Sequence, residues 1–446
     1  MKGLTSGGVL LALWLLPATA AGQTQPLVLR LDEAVERALA RAPAVAEARA
    51  RERAATSQAE AGRALRVPTL SASTSLLRTN HVDEYGVLQP DGTRTVIFPD
   101  IPSTYRVRFE AAVPIYLGGR PEAAVNAAGA EARAAAADRR AAEADVRLAV
   151  TSAYWRTVTS QEAVHVRERA LARTDAWMAD VQARVDVGVA PPNDVQSARA
   201  ERARQLVQLI DARSAAALAA VDLAQLIGAD LGTSFDLQSP VGAPDAEAGA
   251  LARLSAQALL AESLARRAER QGLEARAEAL RASARGAAAA TRPHVAAVAA
   301  VEPARPNRRF VPPSDVWNTG WDLGLSVTWT VFDGGRARAE QAAAEAQASA
   351  VVERVREFDD RLAVDVRRRQ LEIESAQAAL EAAAEGVAAA AEARRVVGER
   401  FAAGVAGSTD VLDAEVALLD AELQQTSLQA ALRMAEARLI RLVGGA

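Results

Sequence analysis

Two segments of the chain alternate apolar and polar residues with period two. Over 320–332, Trp321, Leu323, Leu325, Val327, Trp329 and Val331 fall on one side, with Asp322, Gly324, Ser326, Thr328 and Thr330 on the other. Over 104–115, Tyr105, Val107, Phe109, Ala111, Val113 and Ile115 oppose Arg106, Arg108, Glu110, Ala112 and Pro114. This pattern predicts strands with one greasy face. Weaker strands, rich in Ser, Thr, Ala and Val, are predicted at 68–78 and 293–301. Alanine-rich stretches predict helices at 31–66, 119–187, 193–227, 251–286, 335–403 and 410–443. Down the first long helix a stripe recurs every seven residues: Val150, Thr157, Val164, Leu171, Met178 and Val185. Such a stripe asks for helix–helix contact along the whole length. Residues 228–250, rich in Gly and Pro, read as a linker.

The elements come twice in the same order. IYLGGR at 115–120 returns as VFDGGR at 331–336, and RVDVGVAPPNDV at 184–195 returns as RFAAGVAGSTDV at 400–411. LIG at 226–228 returns as LVG at 442–444, and all three pairs share one offset of 216 residues. The chain therefore reads as two tandem copies of one helix–strand–strand–helix unit, 22–227 and 251–446.

Composition narrows the setting. Half of the 446 residues are hydrophobic, yet only 4% are aromatic, and alanine supplies much of the difference. Alanine favours helix and buries little area, so long, closely packed helices suit this chain better than a thick core. Residues 1–21 read as a secretory signal peptide, with Lys2, an apolar run from Val9 to Leu16, and small residues at Ala18-Thr19-Ala20. Beyond it no uncharged apolar stretch reaches 18 residues, so a membrane crossing would use strands. The alternating segments have about the ten residues of a transmembrane strand, with aromatics such as Tyr105, Tyr116, Trp321, Trp329 and Phe332 toward their ends. The loops at 79–103 and 302–319 are long and polar, as extracellular loops are. Four strands cannot enclose a pore, so several chains would share one barrel.

Candidate chemistry is sparse. There is no cysteine, and His81, His165 and His294 show no metal spacing. Arginines spread among nearly equal acids, at a net charge of −4, read as solvated helix faces and not as a nucleic-acid surface. No cofactor and no catalytic site are expected.

LDEAVERALARAPAV at 31–45, VPIYLGGR at 113–120, WTVFDGGR at 329–336, GVAPPNDVQSARAE at 188–201 and GVAGSTDVLDAEVAL at 404–418 together resemble the TolC family of outer-membrane efflux proteins. The resemblance implies a mainly α chain with a small β part. It implies a homotrimer in which four strands per chain build a 12-stranded outer-membrane β-barrel, continued by a periplasmic α-barrel of long helices. It also implies a periplasmic adaptor and an inner-membrane pump as partners, outer-membrane lipid around the barrel, and export of small molecules. Type I protein secretion falls under the same resemblance. A periplasmic coiled-coil adaptor or scaffold is the remaining alternative, but it would lack paired alternating strands at a fixed offset.

The same resemblance assigns sites. Asp410 and Asp413 match the family's aspartate ring at the periplasmic pore constriction. Ser408, Thr409 and Asp410 also read as helix caps, as does Asp194, the repeat partner of Asp410. The family's gate lock pairs a tyrosine and an arginine with the first turn, and here those positions hold Phe401 and Ala406. Arg184 and Arg400 are the candidates to replace them, beside turn glycines Gly188 and Gly404. Gly118-Gly119 and Gly334-Gly335 fall where strand becomes helix and are expected to hinge barrel to tunnel. Trp321, Leu323, Leu325, Val327, Trp329 and Val331 are expected to face lipid.

Overall fold

The computed structural model describes residues 26–239 and 246–444, so the expected signal peptide lies outside the described residues. Strand β1 (Leu27–Leu29) precedes helices α1 (Leu31–Arg41) and α2 (Pro43–Ala64). β2 (Thr69–Arg78) leads through a hairpin, β3 (Tyr85–Leu88) and β4 (Arg94–Phe98), to β5 (Ser103–Tyr116). α3 (Arg120–Asp186) and α4 (Pro192–Ile227) follow. β6 (Phe235–Leu237) and helices α5 (Ala246–Ala252), α6 (Ala256–Arg266) and α7 (Ala268–Ala288) come next. The chain ends with β7 (His294–Arg305), β8 (Asn318–Thr328), α8 (Arg336–Ala402) and α9 (Ser408–Val443). At about 1.5 Å per residue, the 67-residue helices α3 and α8 each run about 100 Å.

Several expectations need correction. The helix expected at 31–66 breaks at Ala42, whose ψ of 121° is extended. Pro43 bars the helical conformation there and starts α2 instead. The helix expected at 251–286 is three helices. Ser255 caps α6 by accepting from the Ala258 N–H, and Arg267, with ψ of 115°, separates α6 from α7. The linker expected at 228–250 contains β6 and most of α5. The strand expected at 320–332 stops at Thr328, so Trp329 and Val331 are not strand residues. β7 offers no partner beyond His294, and the Trp329 indole N–H turns to the Thr291 carbonyl at 3.0 Å. The hairpin β3–β4 lies inside the expected loop at 79–103. Its turn, Pro90-Asp91-Gly92 with Gly92 at φ 83°, is a readable hairpin signal.

The chain forms two compact units, and neither follows the repeat. The sheet unit takes Leu39–Ala149, the described residues between Pro244 and Ala382, and those from Ala431 onward. The turn unit takes the described residues up to Ala38, those between Val150 and Ala243, and Ala383–Ala430.

In the sheet unit, β2, β5, β7 and β8 form one antiparallel sheet in that order. Ion pairs set the helices in the matching order. Arg139 of α3 binds Glu52 of α2 at 2.7 Å, Arg276 of α7 binds Asp138 of α3, and Arg270 of α7 binds Asp359 of α8 at 2.8 Å. Each helix thus continues the strand it is joined to. Leu259, Leu362, Val366, Ile373 and Leu439 form the apolar core beside them. Arg267 donates to the carbonyls of Arg441 and Leu442 and so caps the end of α9. Burial of Glu269 pushes its carboxyl up, but the guanidinium groups of Arg441 and Arg267 outweigh this and hold it below the usual range.

In the turn unit, α3 lies between α4 and α9. Asp175 meets Arg202 of α4 at 2.5 Å, and Arg173 meets Glu415 of α9 at 2.9 Å. Of the seven-residue stripe, Val150 and Thr157 are buried, while Val164, Leu171, Met178 and Val185 are half-buried. The buried line moves to Val166, Ala170, Thr174, Trp177 and Val181. A straight helix drifts about 20° per heptad against a seven-residue repeat, so one stripe cannot face the same neighbour throughout.

Tyr154, fully buried, donates its hydroxyl to the Leu29 carbonyl and accepts from the Ser239 N–H, both at 3.1 Å. It ties α3 to the parallel pair β1–β6. Tyr154→Phe leaves the Ser239 N–H without its acceptor, while the Leu29 carbonyl keeps the Gln238 N–H, and should lower stability by about 1–2 kcal/mol, read from denaturant unfolding.

Candidate functional site

Two places carry the chain's distinctive chemistry: the sheet, and the turns that join the helix pairs. Register gives the sheet two unlike faces. On one, Leu70, Ala72, Thr74 and Leu76 of β2 stand beside Ala111, Phe109, Val107 and Tyr105 of β5. The same face continues through Val301, Ala299, Ala297 and Val295 of β7 to Trp321, Leu323, Leu325 and Val327 of β8. The weak alternation of β2 is therefore resolved by its partner. The last four side chains are each about two-thirds exposed or more. A bulge after Pro114, which has no N–H to give the ladder, pairs Tyr116 with Val295.

The opposite face is charged. Arg108 of β5 meets Glu110 at 3.0 Å, and Glu302 of β7 and Asp322 of β8 at 3.3 Å each. One guanidinium thereby spans three strands.

Glycines make the strand-to-helix corners. Gly118 and Gly119 have φ of 66° and 89°, and Gly334 and Gly335 have 71° and 88°. The corners are built differently. A Cβ on Gly118 would come within 2.8 Å of the Arg292 Cβ, whereas one on Gly334 would meet open space. Arg292 also donates to the Gly118 carbonyl at 2.9 Å. The second corner has Asp333 in place of Leu117. Its carboxylate accepts from the N–H groups of Ala337 and Gly335, which hold it below the usual carboxylate range.

Both interhelical turns lie in the turn unit, and both close with the same bonds. Gly188 (φ 76°) donates to the Val185 carbonyl and Val189 to that of Arg184. Gly404 (φ 74°) donates to the Phe401 carbonyl and Val405 to that of Arg400. This is the Schellman ending, which asks for a left-handed residue just past the helix.

Between the turns, Phe401 packs with Trp177 at 6.5 Å, within a cluster including Val181, Val195, Ala198 and Val411. Arg184 lies over the Phe401 ring at 4.7 Å, donates to the Phe401 carbonyl at 3.3 Å, and pairs with Asp180 at 3.0 Å. Arg400 is exposed and makes no ion pair among the described residues. Asp410 accepts from the Gly407 N–H at 2.9 Å, the acid half of a capping box. Asp413 is exposed, one turn further along the same helix face, with no side-chain bond among the described residues. Asp194 sits in the first turn of α4 but is not its cap. That position is Pro191, which makes no side-chain bond.

A sequence profile described as "outer membrane efflux protein" matches residues 34–229 and 259–445. The chain belongs to the outer membrane efflux protein family. Solved structures share the efflux protein's fold. VceC from Vibrio cholerae is 22% identical with a TM-score of 0.74, the match covering 93% of this chain and 96% of VceC. CusC is 18% identical with a TM-score of 0.75, covering 93% of this chain and 92% of CusC. MtrE of Neisseria gonorrhoeae, solved in its open state, is 22% identical with a TM-score of 0.73, covering 93% and 89%. No curated protein matches in sequence. Membership assigns the protein to the outer membrane and to efflux. Among the described residues, no helix is long and apolar enough to cross a membrane.

Sequence reasoning missed one group in the efflux protein. Glu415, almost fully buried, is held by Arg173 of α3 at 2.9 Å and by Arg394 of α8 at 2.5 Å, while Arg173 also reaches Glu422 at 3.2 Å. The signal was available: Val411, Glu415, Leu418 and Leu419 put an acid on the apolar face of α9. Glu415→Gln removes the buried charge shared by Arg394 and Arg173, of which Arg173 keeps Glu422, and should lower stability by about 1–3 kcal/mol. Hydrogen exchange should quicken first at the α8–α9 turn. Unchanged exchange there would mean that Glu415 does not brace it.

Proposed function

We propose that the protein is the exit duct of a tripartite export system, working as a trimer with a periplasmic adaptor and an inner-membrane pump. The observation that carries this is the sheet: four strands with an exposed apolar face, a charged face, and open edges at β2 and β8. The apolar face meets lipid, and the charged face lines the pore. The β8 edge of one copy pairs with the β2 edge of the next until the barrel closes. Val207, Ile210 and Leu218 of α4, each more than half exposed in the single chain, belong against a neighbouring copy. Gly118-Gly119 and Gly334-Gly335 turn the barrel into the helical tunnel.

The interhelical turns form the gate. Asp413, unlike Asp410, has a carboxylate free to face the pore, so three copies present a ring that favours cations. Arg184 replaces the missing lock by clamping the end of α8 through Phe401. In a planar bilayer, Asp413→Asn should lower the cation-to-anion permeability ratio by at least about twofold. An unchanged ratio would remove Asp413 from the constriction. In the same bilayer, Arg184→Ala should raise closed-state conductance, whereas Arg400→Ala, which breaks no bond within the chain, should not. The reverse pattern would transfer the lock to Arg400.

A further inference from the structure

We propose that the seam of α2, α3 and α7 in the sheet unit is a binding site for a phosphate group, separate from the gate and independent of that reading. A cleft of about 550 Å³ is lined there by Arg63, Asn126, Arg133, Glu278, Arg281 and Arg285. A second cleft, of about 440 Å³, shares Asn126, Arg281 and Arg285 and adds Arg292, but it also carries the acids Glu122 and Glu345, so the first cleft is the more basic of the two.

The charges in this seam are not balanced from within. Arg133 already engages Glu278, and Arg66 engages Glu122, an acid that lines the second cleft. Arg63, Arg281 and Arg285 make no ion pair among the described residues. Arg281 and Arg285 stand four apart on one face of α7, a spacing at which like charges repel. Further along the same helices the guanidinium groups are matched, as in Arg139–Glu52, Arg276–Asp138 and Arg270–Asp359. In the first cleft four guanidinium groups thus face a single acid, Glu278.

A phosphate group suits the gap. Its oxygens accept several N–H bonds at once, and guanidinium forks meet them in pairs. The Asn126 side chain adds an amide donor. Gly62 brings α2 close to α3, since a Cβ there would lie 3.7 Å from the Val125 Cα, and this sets Arg63 opposite α7. The cleft also adjoins apolar chain. α2 passes into β2 through Leu65, Val67 and Leu70, all more than half exposed. A phosphate carried by a membrane lipid and a free phosphate therefore share one chemistry here.

The test is calorimetric titration of the full-length protein in nonionic detergent with dihexanoyl phosphatidylglycerol, and separately with sodium phosphate. Saturable binding that weakens at least about tenfold in R281Q/R285Q is the expected result, in keeping with the loss of charge-assisted bonds. Binding of the lipid alone assigns the site to a headgroup, and equal binding of both assigns it to a soluble anion. Should R281Q/R285Q fail to fold, R63Q, on a different helix and exposed, must show the weakening. No saturable binding of either probe, or binding unchanged in the variants, would overturn the proposal.

Discussion

Hydrocarbon offers no partner to a peptide group, so a sheet that lies in a membrane must have every strand paired on both sides. Here β5 and β7 are paired on both sides, while β2 and β8 each keep one open edge. That deficit governs the rest of the molecule. The open edges demand further copies, because the chain has no other strand long enough to cover them among its described residues. The helices inherit the arrangement, since α2, α3, α7 and α8 follow the order of the strands they continue. The wall is thus one strand thick in one part and one helix thick in the other, and a wall of one layer must close on itself to have an inside.

Doubling supplies this wall economically, but the copies are not interchangeable. Both corners use glycine pairs at positive φ, a backbone conformation that residues with a Cβ rarely adopt. The first corner is crowded by Arg292 and takes its hydrogen bond from that side chain. The second is open and is braced instead by Asp333 from within its own turn. The first corner is therefore tied to α7 and β7, and the second is free of such a tie. Repetition fixes the backbone path, and local side chains decide how firmly each corner is held.

Much of this was legible in the sequence. Period-two alternation located β5 and β8 within a few residues, and the 216-residue offset located the glycine corners and both turns. What escaped had tertiary causes. β2 alternates weakly by itself, and only its register with β5 reveals the shared apolar face. Nothing local in Ala-Arg-Arg-Ala breaks a helix at Arg267; the break serves a contact with the end of α9. The turn chemistry was half legible. Capping by Asp410 follows from its place three residues past Gly407, but the clamp of Arg184 on Phe401 joins residues more than two hundred positions apart. Asp194, in the same third position as Asp410, makes no such bond because Pro191 at the cap position has no N–H to donate.

Alanine helices raise a problem that charges solve. A buried alanine removes little area from water, so two such helices lose little when they slide past one another. A large side chain would fix the axial register by shape, and few are present in this chain, which is only 4% aromatic. Ion pairs between neighbouring helices do the fixing instead: Arg139–Glu52, Arg270–Asp359, Asp175–Arg202 and the buried Arg173–Glu415–Arg394 group. Each exposed pair contributes little to stability by itself. A slide by one turn, however, breaks every pair along a seam at once and strands the buried acid, so the correct register is favoured by the sum. The charges left over then acquire meaning. Arg63, Arg281, Arg285 and Asp413 take no part in that matching among the described residues.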